Sequence, residues 1–300
     1  MHRRRGYRMK REKIGFVGTG VMGKSMARHL MDAGYTLNVF TRTKEKAVEL
    51  LDQGANWKDS IAALAKDSDI IITIVGYPSD VESIYFGEHG LLENAKPGSY
   101  VIDMTTSSPL LAQDIHKQAK EKGIHALDAP VSGGDVGAQK AALTIMAGGD
   151  TESFQAIQPV FEIMGQNIVL QGEAGAGQHT KMCNQIAIAS GMLGVTEAIL
   201  YAEKAGLDPE TVLKSIEFGA AGSWSLSNLG PRMIRGDFAP GFYVKHFIKD
   251  MKIAIESAEQ MELPVPGLKL AKELYDKLNE AEGGNDGTQA LLKYYRIMMA

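Results

Sequence analysis

Residues 13–42, K-I-G-F-V-G-T-G-V-M-G-K-S-M-A-R-H-L-M-D-A-G-Y-T-L-N-V-F-T-R, leave few folds open to this chain. Residues 14–17 are a short apolar run that suits a buried strand. The turn Gly18-Thr19-Gly20-Val21-Met22-Gly23 follows at once. Met22, Met26, Leu30 and Ala33 then recur at helical spacing until Gly34 stops the pattern. Residues 37–40 make a second strand. A strand, a glycine turn, a helix and a parallel strand thus fall within the length such a unit needs. Each glycine has a physical task. Gly18 permits the tight exit from the strand, Gly20 lets a pyrophosphate approach the backbone, and Gly23 lets the helix pack close to the strand. The helix N-terminus supplies amide donors and the positive end of its dipole. The stretch therefore predicts a dinucleotide site on residues 18–23.

The end of the second strand selects the cofactor. A binder of NAD usually carries an acidic residue there for the ribose 2′-hydroxyl. This chain has Thr41-Arg42-Thr43 and no carboxylate before Glu45. Arg42 offers a planar, permanently charged fork that suits a 2′-phosphate, and Thr43 adds a hydroxyl. The alternative is a solvated arginine at a helix start. The chemistry favours NADP over NAD.

Strand and helix patterns alternate through the first half. Strands are predicted at 70–75, 100–103, 125–129, 143–147 and 168–170. Ser60 is placed to cap a helix at 61–65, and Pro109 opens another. Such alternation predicts a doubly wound, mostly parallel α/β sheet, with ligands off the carboxyl ends of its strands. The loops at Val75-Gly76 and Thr105-Thr106 should therefore line the cofactor. After the glycine-rich segment 172–177 no strand pattern returns. A long apolar helix is predicted over 181–204, followed by helices at 209–217, 249–261, 268–279 and 288–297. The organisation read from the sequence is a basic extension at 1–12, taken as disordered, a Rossmann domain at 13–174 and an all-α domain at 175–300, joined by the long helix. No apolar run approaches the roughly 20 residues of a membrane span. A net charge of −4 gives no reason to expect nucleic acid as a partner. The single cysteine, Cys183, excludes an intrachain disulfide and fits a reducing cytoplasm; no Cys/His spacing suggests a metal.

Three stretches could carry chemistry. In D-A-P-V-S-G-G at 128–134, Ser132 and the amides of Gly133 and Gly134 form a set of donors suited to a carboxylate. A structural turn explains the same residues equally well. In G-Q-H-T-K-M-C-N-Q at 177–185, Lys181 and Asn184 share a helix face. A lysine opening a buried helix is desolvated and gives up its proton more easily, which suits proton exchange with an alkoxide. A surface charge near a helix start is the plainer reading. Cys183 reads as a core residue off that face, and His179 as a polar neighbour. The third stretch, F-Y-V-K-H-F-I-K-D at 242–250, ends in a Lys–Asp pair that by itself means no more than pairing in solvent.

Taken together, four motifs in order resemble the β-hydroxyacid dehydrogenases, the family of 3-hydroxyisobutyrate dehydrogenase and tartronate semialdehyde reductase. They are the 18–23 fingerprint with I-G-F-V ahead of it, D-A-P-V-S-G-G, G-A-G-Q-H-T-K-M-C-N-Q at 175–185, and I-K-D at 248–250. The resemblance spans nearly the whole chain from Lys13. It implies an active site in the cleft between the two domains. It implies Lys181 as catalytic acid/base, Ser132, Gly133 and Gly134 on the substrate carboxylate, and Asn184 in contact with substrate. It implies Val75, Gly76 and Thr106 at the cofactor, Lys249 beside the nicotinamide ribose, and Asp250 supporting the substrate site. It also implies a homodimer or homotetramer. Three departures stand out: Val75-Gly76 where the family usually has Leu-Pro, Asp80 where it often has Asn, and His246 where an apolar residue is usual. His246 and Trp224 would reshape the substrate pocket.

The reading is an NADP-preferring, cytoplasmic oxidoreductase that interconverts a small 3-hydroxy acid and its semialdehyde or keto form. Its rivals are a 6-phosphogluconate-type decarboxylating enzyme, for which the helical domain is short, and a non-catalytic NADP sensor, which would have no need of both Lys181 and Asn184.

Overall fold

The computed structural model describes residues 12–299. The extension read as disordered lies, except for Glu12, outside the described residues. The chain divides into two compact units, one ending at Lys181 and one beginning at Met182.

The first unit holds a nine-stranded sheet. Its strands are β1 (Lys13–Val17), β2 (Thr36–Phe40), β3 (Asn56–Trp57), β4 (Ile70–Thr73), β5 (Tyr100–Asp103), β6 (His125–Asp128), β7 (Val131–Ser132), β8 (Leu143–Gly148) and β9 (Gly165–Gly172). The order β3-β2-β1-β4-β5-β6 is parallel throughout and is that of a dinucleotide-binding Rossmann sheet. β8 then runs antiparallel to β6 and β7 and parallel to β9.

The sheet is buried on both faces because its central strands are apolar at successive positions. Alternate residues serve opposite layers. Ile14, Phe16, Ile70, Ile72, Ile102 and Leu127 enter one core with Met26 and Leu30 of the helix Gly23–Asp32. Val17, Ile71, Val101 and Ala126 enter the other with Leu64, Val81 and Tyr85. Gly15 has no side chain because that helical layer presses on β1: a Cβ there would lie 2.4 Å from Leu64 Cδ2.

Several predicted boundaries move. The strand expected over 70–75 ends at Thr73, which leaves Val75 and Gly76 in the following loop. Val131 and Ser132, read as loop, form β7 by pairing with Ile145 and Thr144 of β8. Ser60 does cap Ile61–Lys66, its Oγ accepting the Ala63 amide at 3.0 Å.

The second unit is helical. Besides the part of the long helix Ala176–Lys204 from Met182 on, its main helices are Pro209–Ile216, Val244–Gln260, Pro266–Glu280 and Leu291–Met299, with the short helices Trp224–Asn228 and Gly230–Ile234, absent from the sequence reading. The long helix starts five residues before the expected position, so Lys181 lies in its second turn and not at its opening. Val244–Gln260 likewise starts five residues early, which puts Lys249 and Asp250 inside the helix. Met182, Ala189 and Leu193 of the long helix pack against Val244, Phe247 and Met251, and Met192, Val195 and Ile199 pack against Leu213 and Leu226. By length and composition this helix could cross a membrane, with mean hydropathy 1.3 over its most apolar window, so the expectation against spans holds for unbroken apolar runs only. Cys183, expected in the core, is exposed, because the helix turns it away from the buried positions Met182 and Gln185.

Candidate active site

The glycine turn follows β1 at the point where the sheet order reverses, between β1 and β4. Its three glycines are constrained differently. Gly18 has φ +98°, and a Cβ on it would lie 2.1 Å from the Ile74 carbonyl oxygen. A Cβ on Gly23 would lie 2.0 Å from the Gly18 carbonyl oxygen. A Cβ on Gly20 would meet nothing within 4 Å, and Gly20 is exposed. Two glycines thus close the turn, and the third leaves its backbone open to a ligand. Beside it the Thr19 hydroxyl is buried without a hydrogen-bond partner among the described atoms. Val21 is exposed and Met22 is half-buried at the edge of the first core. A tight turn, an open amide backbone and a spare buried hydroxyl fit a dinucleotide pyrophosphate.

The neighbouring loops are tied to this edge of the sheet. The Val75 amide donates to Thr105 Oγ1 at 3.0 Å, and Gly76 and Thr106 are half-buried. Arg42 and Thr43 follow β2 and are exposed. The Arg42 guanidinium lies 3.2 Å from Asp80 Oδ1. The sequence reading noted Asp80 only as a departure from the family's frequent Asn and did not connect it to Arg42, 38 residues away.

The start of the long helix, itself part of the first unit, is held by two buried side chains. Asp128, at the end of β6, accepts the Gly175 amide on Oδ1 at 2.7 Å and the Gln178 amide on Oδ2 at 2.8 Å. Its carboxylate thereby caps the helix. Burial pushes its pKa up, and these amide donors act against that rise. Gln178, fully buried, accepts the Ser107 amide at 2.9 Å and donates to the Thr105 carbonyl at 2.7 Å. This cap explains the early helix start: 128 and 178 are far apart in sequence, and only the fold shows that one satisfies the other. Both were missed as individual residues, although both stand inside motifs singled out above.

Lys181 follows in the second turn. Among the described residues it is the one buried lysine, 7% exposed. Ser132, in β7, is half-buried, and Gly133 and Gly134 have φ +132° and +63°. These left-handed conformations suit glycine and turn the backbone sharply ahead of the helix Gly134–Gln139. Asn184 lies three residues beyond Lys181 on the same helix. Its Nδ2 donates to Gln185 Oε1 at 2.8 Å, and Gln185 Nε2 donates to Asp250 Oδ2 at 2.6 Å. Lys249 Nζ stands 2.8 Å from Asp250 Oδ1, an ion pair without hydrogen-bond alignment on that oxygen. Asn184, Gln185, Asp250 and Lys249 therefore form one polar chain, buried at Gln185 and Asp250 and half-buried at its ends, in which Gln185 is the member the sequence did not disclose. His246, half-buried one turn earlier, has its pKa lowered by burial and then by the Lys249 charge. Trp224 is exposed.

Comparison with known proteins agrees with this frame. Residues 13–172 match the NAD binding domain of 6-phosphogluconate dehydrogenase, and residues 175–295 match the NAD-binding domain of NADP-dependent 3-hydroxyisobutyrate dehydrogenase. The chain is 62% identical to the uncharacterized oxidoreductase YkwC of Bacillus subtilis over 95% of this chain and 99% of that one. It is 38% identical to the 2-hydroxy-3-oxopropionate reductase of Escherichia coli over 95% and 98%. The solved Mycobacterium tuberculosis 3-hydroxyisobutyrate dehydrogenase with L-serine superposes with a TM-score of 0.88 at 29% identity, covering 96% of this chain and all of that one. Psf3, solved with NADP+ and 2-OPP, superposes with a TM-score of 0.85 at 25% identity over 95% and 99%. The two matched models, the relatives and the Rossmann sheet order agree: the chain belongs to the β-hydroxyacid dehydrogenase family, whose members are NAD(P)-dependent oxidoreductases of hydroxyacids.

Proposed function

We propose that the protein interconverts a small 3-hydroxy acid and its semialdehyde or keto form, with NADP preferred to NAD and Lys181 as general acid/base. One observation carries this reading: a single buried lysine, seated in a helix whose first turn is held by Asp128 and Gln178. Taking a lysine out of water costs stability, so its burial here supports a chemical role. L-serine, seen with the Mycobacterium tuberculosis enzyme, is itself a 3-hydroxy acid. The substrates named for the relatives support the same class.

In this reading residues 18–23, with Arg42, Thr43, Val75, Gly76, Thr106 and Lys249, hold the dinucleotide. The nicotinamide, when bound, supplies the hydride acceptor or donor. Ser132 and the amides of Gly133 and Gly134 receive the substrate carboxylate as hydrogen-bond donors. Lys181 Nζ takes the proton of the substrate hydroxyl in oxidation and returns it in reduction. Asn184, held by Gln185, orients the hydroxyl, and Asp250 anchors that polar chain. The protein's part is placement and charge. We assign 13–174 to the cofactor and 175–300 to substrate and assembly. The family resemblance supports a homodimer or homotetramer.

The test is a panel of small 3-hydroxy acids with NADP and NAD, and of semialdehydes with NADPH and NADH, run on the wild type and Lys181→Ala. Turnover on at least one member, falling about 10²-fold or more in the variant with cofactor affinity retained, is the expected result. Activity on no member, or near-normal turnover by the variant, overturns the proposal.

A further inference from the structure

The second strand lacks the acidic residue of an NAD binder, yet the fold brings a carboxylate to Arg42 from elsewhere. Asp80 is the third residue of the helix Pro78–Tyr85. Its Oδ2 accepts the Tyr77 amide at 3.1 Å, and its Oδ1 lies 3.2 Å from Arg42 Nη1. The two partners differ in freedom. The Arg42 side chain is 80% exposed, whereas that of Asp80 is 19% exposed. The carboxylate is therefore anchored by its helix start, where the dipole favours its charge, and the arginine is the mobile partner.

We propose that Asp80 is a specificity-positioning residue for the cofactor: it holds the Arg42 guanidinium and so restrains the chain's preference for NADP. This rests on the reading that Arg42 receives the ribose 2′-phosphate. The phosphate and the carboxylate compete for one planar fork. Because Asp80 stays on its helix start, the phosphate either displaces Arg42 from its partner or shares it with a nearby like charge. The uncharged 2′-hydroxyl of NAD meets no such competition. Asp80 thus acts as a counterweight to Arg42, and the pair sets a moderate cofactor bias that neither residue would set alone.

The experiment is a double-mutant cycle on the full-length protein, with dissociation constants for NADP and NAD measured by titration calorimetry in the absence of substrate. Asp80→Asn keeps an oxygen for the Tyr77 amide, and Asp80→Ser serves as a second variant with the same capping chemistry; thermal midpoints confirm that both are folded. The expected result is NADP binding tightened about fivefold, NAD binding unchanged within about twofold, and no tightening in the Arg42→Ala background. Wild-type NADP affinity in both Asp80 variants, alongside weakened binding in Arg42→Ala, overturns the role of Asp80. Equal tightening with and without Arg42 also overturns it, since the carboxylate would then act directly on the phosphate. Unchanged NADP affinity in Arg42→Ala refutes the underlying reading of Arg42 instead.

Discussion

Asp103→Asn offers a test of the buried charge at the carboxyl edge of the sheet. Asp103 ends β5 and is 5% exposed. Its Oδ1 accepts the Thr73 hydroxyl at 2.9 Å and the Thr105 amide at 3.0 Å. Burial raises its pKa from 3.8 to about 6; the Thr105 and Thr73 hydrogen bonds oppose the rise, and the Asp128 charge adds to it. In the unfolded chain the same carboxyl titrates near its ordinary value. Between about pH 4 and pH 6 the unfolded chain has released this proton while the folded chain keeps it, so rising pH favours unfolding. At roughly 1.36 kcal/mol per pH unit, ionising Asp103 removes about 3 kcal/mol of folded-state stability across that window, with no further loss above it. Asparagine retains an oxygen for the two donors and cannot ionise. Its amide N–H groups cost about 1–3 kcal/mol if they find no acceptor, but that cost does not change with pH. Urea unfolding of wild type and variant at about pH 4, 5, 6 and 7 separates the two contributions. The stability difference should move by about 3 kcal/mol in favour of the variant between the lowest and highest pH. Curves that stay parallel within about 0.5 kcal/mol would refute the buried-carboxylate argument.

Two other substitutions probe the frame around the site. In Gly23→Ala the new methyl meets the Gly18 carbonyl oxygen at 2.0 Å and Ile74 Cγ2 at 3.0 Å, so the turn must open; NADP and NAD affinities should both fall about tenfold or more, with about 1–3 kcal/mol lost from stability. Fluorescence titration with the reduced nucleotides checks this, and wild-type affinity would show that the turn does not hold the cofactor. Gln178→Ala strands the Ser107 amide and the Thr105 carbonyl in the interior, at a cost of about 2–4 kcal/mol. Differential scanning calorimetry should record a midpoint about 4–10 °C lower; a change under about 1 °C would mean that the helix start is held by Asp128 alone.

The first part of the fold was legible because its signals are local. The six residues of the glycine turn, 18–23, stand in one row, and the strand–turn–helix period around them is dictated by backbone sterics and burial. The parallel sheet followed from the alternation of strands and helices, and the helical character of the second unit from the loss of that alternation. Helix starts were less legible where the cap is remote. The long helix begins at Ala176 because Asp128 supplies acceptors from 47 residues away, and no local capping residue announces it.

What the sequence alone determined was the kind of chain this is: a Rossmann frame, a dinucleotide turn, a helical second half, and the motifs of the β-hydroxyacid dehydrogenase family. What the tertiary structure decided was which of those residues are constrained. Lys181 could have been a surface charge, and the fold buries it. Arg42 read as unopposed, and the fold sets Asp80 against it. The physical reason is the same in both cases. A side chain's chemistry is set by its solvent exposure and its nearest charge, and those are properties of neighbours that lie far off along the chain.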